Sequence, residues 1–355
     1  MPAEHSSGRP ARVATSAMPA TVALVGPTAS GKSELAVAVA EASRRPDAGG
    51  VRPGLPIELL SVDSMAVYRG MDIGTAKPPP SVRARVGYHL IDLVDPSEEF
   101  TVQQFQTAAR AALADISARG HRALLVGGTG LYLRSVVDDL SFPGRFPEVA
   151  ARLSEELEAS GPEGSPGRRS ALAALHTRLS SLDPVAAGRL EPTNRRRLIR
   201  ALEVSVGSGR PFSSFGPGLE AYPPSRVALV GVPYDPEVSD RRIAERFGAM
   251  MDLGFLGEVR ALAESPAGLS RTARQALGYR ELLSHLEEGV PLAEAVAEAV
   301  RRTRAFARRQ WAWFRRDPRI VWLEPDEDGT ARTDRIAGLF SPTPLPPGPA
   351  GTVGD

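Results

Sequence analysis

Residues 21–42, TVALVGPTASGKSELAVAVAEA, constrain this chain more than any other stretch. An apolar run (21–25) is followed by a Gly/Pro/Thr/Ser turn (26–30) and an apolar-spaced helical segment (32–42), so the stretch reads strand, loop, helix. Gly26, Gly31, Lys32 and Ser33 fit G-x-x-x-x-G-K-[ST] in full. The glycines let backbone N–H groups close on phosphate oxygens at a helix N-terminus, Lys32 adds a compact charge, and Ser33 is placed to ligate magnesium. Only two of the 43 basic residues, Lys32 and Lys77, are lysine. The planar fork of an arginine does not fit inside such a cradle, which accounts for a lysine kept against a strong arginine bias. The motif specifies phosphate without saying which phosphate.

A chain of 355 residues is long enough for two domains, or for one large domain with an insertion. Segments 57–62, 88–93 and 123–126 read as strands and 100–119 as a helix, an alternation that predicts an α/β fold with a mostly parallel sheet. In such sheets ligands gather at the carboxyl ends of the strands. Segments 26–33, 63–68 and 127–132 each follow a strand and are expected to converge. From 141 to 224 the pattern turns helical, broken by GPEGSPG and GPG; 226–232 resumes as a strand, helices fill 236–316, and 320–323 is a last strand. The expected division is a disordered extension (1–20), a catalytic core (21–140 with 225–325), a helical insertion (141–224) and a disordered tail (326–355), with 43–56 as an inserted loop.

The absence of cysteine removes disulfides, thiol nucleophiles and thiolate zinc sites, and the five histidines show no ligand spacing. No apolar run is long enough to span a membrane, and the first 20 residues lack the apolar middle of a signal peptide, so a cytoplasmic protein with no membrane partner is expected. Net charge is only +1, so nucleic-acid affinity would come from local patches. Asp63, in SVDSMAVYRGMDIGTAKP (61–78), stands at a strand end beside the phosphate loop as a magnesium ligand or a general base; the alternative makes it an N-cap and Lys77 a surface residue. In VGGTGLYL (126–133) Thr129 offers its hydroxyl and backbone N–H to the same phosphates, or the glycines form a simple tight turn. RRTRAFARRQWAWFRR (301–316) carries seven arginines and no acid. Arg301, Arg304, Arg308 and Arg315 share one helical stripe, suited to an RNA backbone or to water, and Phe306 and Trp313 share another that reads as a core-packed seam.

With NRRRLIRALEV, RRIAERFGAMMDLGFLGEVRAL and ALGYRE, these segments resemble, in order and over about residues 22–316, the tRNA dimethylallyltransferases. The resemblance implies a P-loop NTPase-like core with a helical insertion domain and a helical C-terminal region. It implies transfer of a dimethylallyl group from dimethylallyl diphosphate to N6 of the adenosine 3′-adjacent to the anticodon, with Mg²⁺ held by Ser33 and the chain acting as a monomer. Asp63, Thr129 and Arg242 fall at catalytic positions, Asp63 as the base. Gly26, Thr28, Ala29, Ser30, Gly31, Lys32, Ser33 and Arg246 fall at diphosphate-binding positions. Asp63, Ser64, Met65, Ala66, Arg196, Arg197, Arg200, Arg274, Arg280, Arg304 and Arg308 fall at positions for the tRNA anticodon stem-loop. Many relatives have glutamine where Ala66 stands and a Gln-Arg pair where this chain has Arg196 and Arg197. Three rival readings stay open: a free-adenylate isopentenyltransferase, a small-molecule P-loop kinase, and a nucleotide-gated RNA-binding protein.

Overall fold

The structure is a computed structural model that describes residues 21–44 and 56–340. The expected N-terminal extension, most of the 43–56 loop and the last fifteen residues lie outside the described part. Strand β1 (Thr21–Val25) runs into helix α1 (Lys32–Ala42), and β2 (Ile57–Val62), α2 (Pro80–Arg83), β3 (Tyr88–His89), α3 (Val102–Ala118), β4 (Arg122–Gly127) and α4 (Gly130–Val137) continue the alternation. Helices α5 (Pro147–Ala159), α6 (Pro166–Leu182), α7 (Pro184–Arg189) and α8 (Arg195–Ser208) interrupt it before β5 (Ala228–Gly231). Then come α9 (Pro236–Asp252), α10 (Phe255–Ala263), α11 (Arg271–Arg274), α12 (Tyr279–Glu288), α13 (Leu292–Phe314), β6 (Ile320–Trp322) and α14 (Gly329–Gly338).

The six strands form one sheet in the order β3-β2-β4-β1-β5-β6, with every pairing parallel. Parallel strands are buried on both faces, which is why they read as nearly continuous apolar runs such as VALV and ALLV. Val22, Leu24, Leu59 and Leu124 are fully buried and pack with Leu35, Ala36 and Val39 of α1 and Ile336 of α14. The register sets Val25 beside Gly127 and Gly231, and Gly127 beside Val62. Residues 26, 63, 128 and 232 therefore leave the sheet in one row. With strands about 4.8 Å apart, the loops after β1 and β2 start about 10 Å from each other across β4.

Two expectations need correction. The strand expected over 88–93 covers only Tyr88–His89, because Leu90 (φ 64°) and Asp92 (φ 56°) take left-handed backbone that no strand accommodates. The chain turns there and lays 92–94 against 66–69, with Asp92 N–H donating to Ala66 O and Leu93 N–H to Val67 O. The tail expected from 326 contains α14: Asp328 accepts from Thr330 N–H (2.7 Å) and Ala331 N–H (2.8 Å), and Ile336 is buried in the core. A cap followed by one apolar stripe is enough to order ten residues, whatever the Pro/Gly-rich composition beyond them predicts.

Residues 101–107 and 131–225 form a compact unit of their own, and the other described residues form another. In the former, α5, α6 and α8 bury Leu153, Leu157, Leu175, Leu179, Leu198 and Leu202 together. Ser165-Pro166 and Asp183-Pro184 open α6 and α7 with a capping side chain and a proline at the first helical position, a pairing legible from sequence. Asp183 does more: its carboxylate also takes the N–H and hydroxyl of Ser213, both at 2.7 Å.

The four described histidines are all engaged structurally. His176 and His285 bond backbone carbonyls, while His89 and His121 bond Glu58 on β2. Burial opposes ionisation of Glu58, but hydrogen bonds from Arg119, His89 and His121 outweigh it and hold the carboxyl at about 2. No helix of the described residues is long and apolar enough to cross a membrane.

Candidate active site

The loop after β1 is built to wrap an anion. Gly31 (φ 87°) caps α1, and Ala29 (φ 62°) is a non-glycine in left-handed backbone, a strain of about 1–2 kcal/mol that is held where a loop must follow a ligand. Ser30 Oγ is buried and has no hydrogen-bond partner among the described residues. Such a group costs stability until an acceptor or donor reaches it, and a phosphate oxygen is the acceptor this loop suits. Lys32 Nζ lies under the loop and donates to Pro27 O at 3.0 Å. Burial lowers its pKa to about 8; Arg246 pushes the same way, and Asp63 and Glu34 oppose. Burial also lowers the Arg246 guanidinium, again against Asp63 and Glu34. Helix α9 thus brings Arg246 into the field of Lys32 and Asp63, and sets Arg242 Nη1 3.9 Å from where a side chain on Gly31 would begin. Ser33 is exposed at the start of α1.

Asp63 follows β2 directly. Its Oδ1 accepts from Met65 N–H (2.8 Å) and Ala66 N–H (3.3 Å), so the capping reading holds for one oxygen. Oδ2 takes no hydrogen bond within the described residues, so the capping contacts leave one oxygen for the other reading. Thr129 Oγ1 accepts from Ser64 N–H at 3.2 Å and Thr129 N–H donates to Val62 O at 3.3 Å. This corrects the expectation for the Thr129 backbone N–H, which is taken by β2, and narrows that expectation to the hydroxyl. Ala66 is also corrected as an RNA contact, since its side chain is buried and its N–H is held by Asp63. Ser64 and Met65 are half-buried.

The loop carrying these residues is locked by two groups that the sequence did not single out for that task. Lys77 is not a surface residue: its side chain is 1% exposed, and its three donors meet Tyr68 O, Asp72 Oδ1 (2.7 Å) and Asp92 Oδ1 (2.5 Å). A tetrahedral ammonium satisfies three such acceptors and a planar guanidinium does not, which explains the second surviving lysine. Glu258 on α10 accepts from Asp72 N–H (3.0 Å), Ile73 N–H (2.8 Å), Gly74 N–H (3.2 Å) and Tyr279 O–H (2.5 Å). Gly74 has to be glycine, because a Cβ there would meet Phe255 at 2.3 Å and Tyr279 at 2.5 Å. Lys77→Met should lower the unfolding free energy by about 2–3 kcal/mol, since it removes charged hydrogen bonds from a buried site. Urea denaturation measures this, and Lys77→Arg should not restore it.

Helix α13 contributes an unexpected residue. Gln310, buried, accepts from Thr28 N–H (2.8 Å) through Oε1 and donates from Nε2 to Gly128 O (2.9 Å). The expectation that Thr28 binds diphosphate is thereby narrowed to its hydroxyl. The buried face of α13 is Ala299, Ala307, Gln310 and Phe314, whereas Phe306 and Trp313, expected as a core seam, are only half-buried. Several arginines expected to face RNA have protein partners. Arg304 donates to Asp240 O and Arg308 to the Asp240 carboxylate; Arg301 pairs with Glu298, and Arg274 with Glu287. Arg280 bonds Gln275, while Arg200 bonds Glu203 and the carbonyls of Pro143 and Gly144. Arg196 and Arg197 are exposed on α8.

Comparison with known proteins agrees with this arrangement. A model of the IPP transferase family matches residues 66–317. The tRNA dimethylallyltransferase of Kineococcus radiotolerans is 45% identical over 324 residues, spanning 91% of this chain and 96% of that protein. That of Acidothermus cellulolyticus is 46% identical over 306 residues, spanning 85% and 88%. The solved structure of the full-length tRNA isopentenylpyrophosphate transferase from Bacillus halodurans superposes with a TM-score of 0.60 at 33% identity, covering 90% of this chain and 96% of its own. A parallel sheet with a glycine-rich loop after β1 and an acid after β2, on either side of β4, and matches of this extent, place the chain in the IPP transferase family, among the tRNA dimethylallyltransferases.

Proposed function

We propose that this chain transfers a dimethylallyl group from dimethylallyl diphosphate to the exocyclic N6 of the adenosine 3′-adjacent to the anticodon in tRNA, releasing diphosphate. The observation that supports this most directly is one row of strand ends carrying both an anion cradle and a carboxylate with a free oxygen. In the reaction the allylic C–O bond breaks with its electron pair passing to diphosphate, the C–N6 bond forms, and the N6 proton goes to Asp63 Oδ2. Negative charge grows on the leaving oxygens, where the N-terminal N–H groups of α1, Lys32, Arg242, Arg246 and the hydroxyls of Ser30 and Thr129 are its stabilisers. The lone pair of N6 is conjugated into the ring, so removal of its proton is what makes it a nucleophile.

The donor set fits magnesium. Mg²⁺ prefers one or two protein oxygens completed by phosphate and water, and Ser33, exposed at the start of α1, offers one. Ser33 Oγ would hold it, and the ion would neutralise the departing diphosphate. The adenosine has to leave its stacked loop to reach Asp63, and exposed Arg196 and Arg197 are the arginines best suited to grip the RNA backbone. All the groups proposed for chemistry lie in one unit of one chain, so a monomer suffices, and tRNA as acceptor is what supports a cytoplasmic enzyme.

The test is incubation of the purified protein and Mg²⁺ with labelled dimethylallyl diphosphate and, separately, an unmodified anticodon stem-loop, AMP or ATP. Label is expected in the RNA alone. Label in AMP would make the protein a free-adenylate isopentenyltransferase, and ATP turnover without transfer would make it a kinase.

A further inference from the structure

We infer that Gln310 is a positioning residue that sets the spacing between the phosphate loop and the Thr129 turn, so that both close on the same diphosphate. The inference rests on the reading of residues 26–33 as the diphosphate site. The two loops leave neighbouring parallel strands, β1 and β4, and Gln310 is the side chain that bonds both. Its Oε1 takes Thr28 N–H and its Nε2 gives a proton to Gly128 O, at 2.8 and 2.9 Å. The fit is close: a Cβ on Gly128 would stand 2.2 Å from Nε2, so this glycine exists to admit the amide.

The chemistry of the bridge narrows the residue. One side needs an acceptor and the other a donor, without charge beside a phosphate site, and a primary amide supplies both. Asparagine is one methylene short, a carboxylate would turn an oxygen toward the Gly128 carbonyl, and an apolar chain offers neither contact. The position of Thr28 in its loop gives the bridge its use. Directly after Thr28 the backbone enters the left-handed conformation of Ala29 (φ 62°), the start of the turn that aims the following N–H groups at a ligand. Holding Thr28 N–H therefore fixes where that turn begins. Holding Gly128 O fixes the residue before Thr129. A buried polar side chain that merely filled the core would not need both bonds to fall on the two loops that grip one ligand.

The experiment uses the full-length protein with Gln310→Met and Gln310→Glu. Inorganic diphosphate binding in Mg²⁺ is measured by calorimetry, alongside steady-state kinetics with a stem-loop. Gln310→Met is expected to raise the Kd for diphosphate and the KM for dimethylallyl diphosphate by about tenfold, with the KM for RNA unchanged. Gln310→Glu is expected to be weaker still at neutral pH and to recover toward wild type as pH falls, because a protonated carboxyl again offers one donor and one acceptor. Diphosphate affinity within twofold of wild type in Gln310→Met, with only the melting temperature lowered, would reduce Gln310 to a core residue. If that variant does not fold, the pH dependence of the Gln310→Glu to wild-type affinity ratio decides, and a flat ratio overturns the inference. Wild-type protein that ignores diphosphate would instead overturn the reading of the loop.

Discussion

Asp63→Asn is expected to lower the single-turnover rate of transfer to an anticodon stem-loop by about 10² to 10⁴, the usual contribution of a positioned base. The substitution isolates the chemistry. Asparagine keeps an oxygen at Oδ1 for Met65 N–H and Ala66 N–H, so the turn carrying Ser64 and Met65 survives, and RNA binding should change by less than threefold. What disappears is the basic Oδ2. One secondary effect has a known sign: the Asp63 charge raises the pKa of Lys32, so its loss makes that lysine easier to deprotonate. The comparison therefore belongs at or below about pH 7, below the wild-type value of about 8 for Lys32. A rate within threefold of wild type would leave Asp63 a turn cap and nothing more.

The other large effect concerns Lys32 itself. Removing a preorganised charge aimed at a leaving group typically costs 10² to 10³ in rate, and Lys32→Ala should reduce kcat/KM for dimethylallyl diphosphate by about that factor. Lys32→Arg should recover little, because the fork is too broad for a cradle in which Nζ sits 3.0 Å from Pro27 O. The wild-type protein carries its own control. Burial holds Lys32 at about 8 in the free site, and a bound diphosphate favours the charged form and raises it. Diphosphate affinity should thus fall by up to tenfold per pH unit above about 8. Folding responds with the opposite sign. Between about 8 and the ordinary value of 10.5 the unfolded chain holds a proton that the native site has released, so unfolding free energy rises with pH across that window. Alkali should weaken the ligand while steadying the free protein, and parallel calorimetry and denaturation at pH 7 and 9.5 would separate the two. An affinity flat with pH would mean that Lys32 keeps its charge or does not touch the phosphates.

The features legible in the sequence were those whose partners lie within a few residues. The phosphate loop and the expectation that residues 26–33, 63 and 129 meet both follow from local pattern together with the rule that parallel strands present loops at one end. The remainder depended on distant partners. Gln310 is 282 residues from Thr28, and Glu258 is 184 to 186 residues from the N–H groups it holds; no window shows either. Lys77 stands out for its rarity, and the alternative that makes it a surface residue fails because Asp72 and Asp92 close on its ammonium. The arginine stretch reads as unbalanced because its acids lie outside it: Glu298 just before it on α13, and Asp240 and Glu281 on other helices. The strand that stopped at His89 was lost to left-handed backbone at Leu90, where the residue type gives no warning.

The strand order also fixes when during synthesis the site can exist. β1 is the first strand made, yet it lies between β4 and β5, whose residues Leu124 and Ala228 pair with Val22. At about 5–20 residues per second of translation, Thr28 waits about 15 to 60 s for the glutamine that will hold its N–H. Until β4 and then β5 have been made, β1 is an apolar ribbon without its sheet neighbours, a substrate for chaperones that shield nascent strands. A ribosome-stalled chain that ends before α13 should therefore lack the Gln310 bridge and bind diphosphate weakly, so the site becomes competent only once α13 has been made.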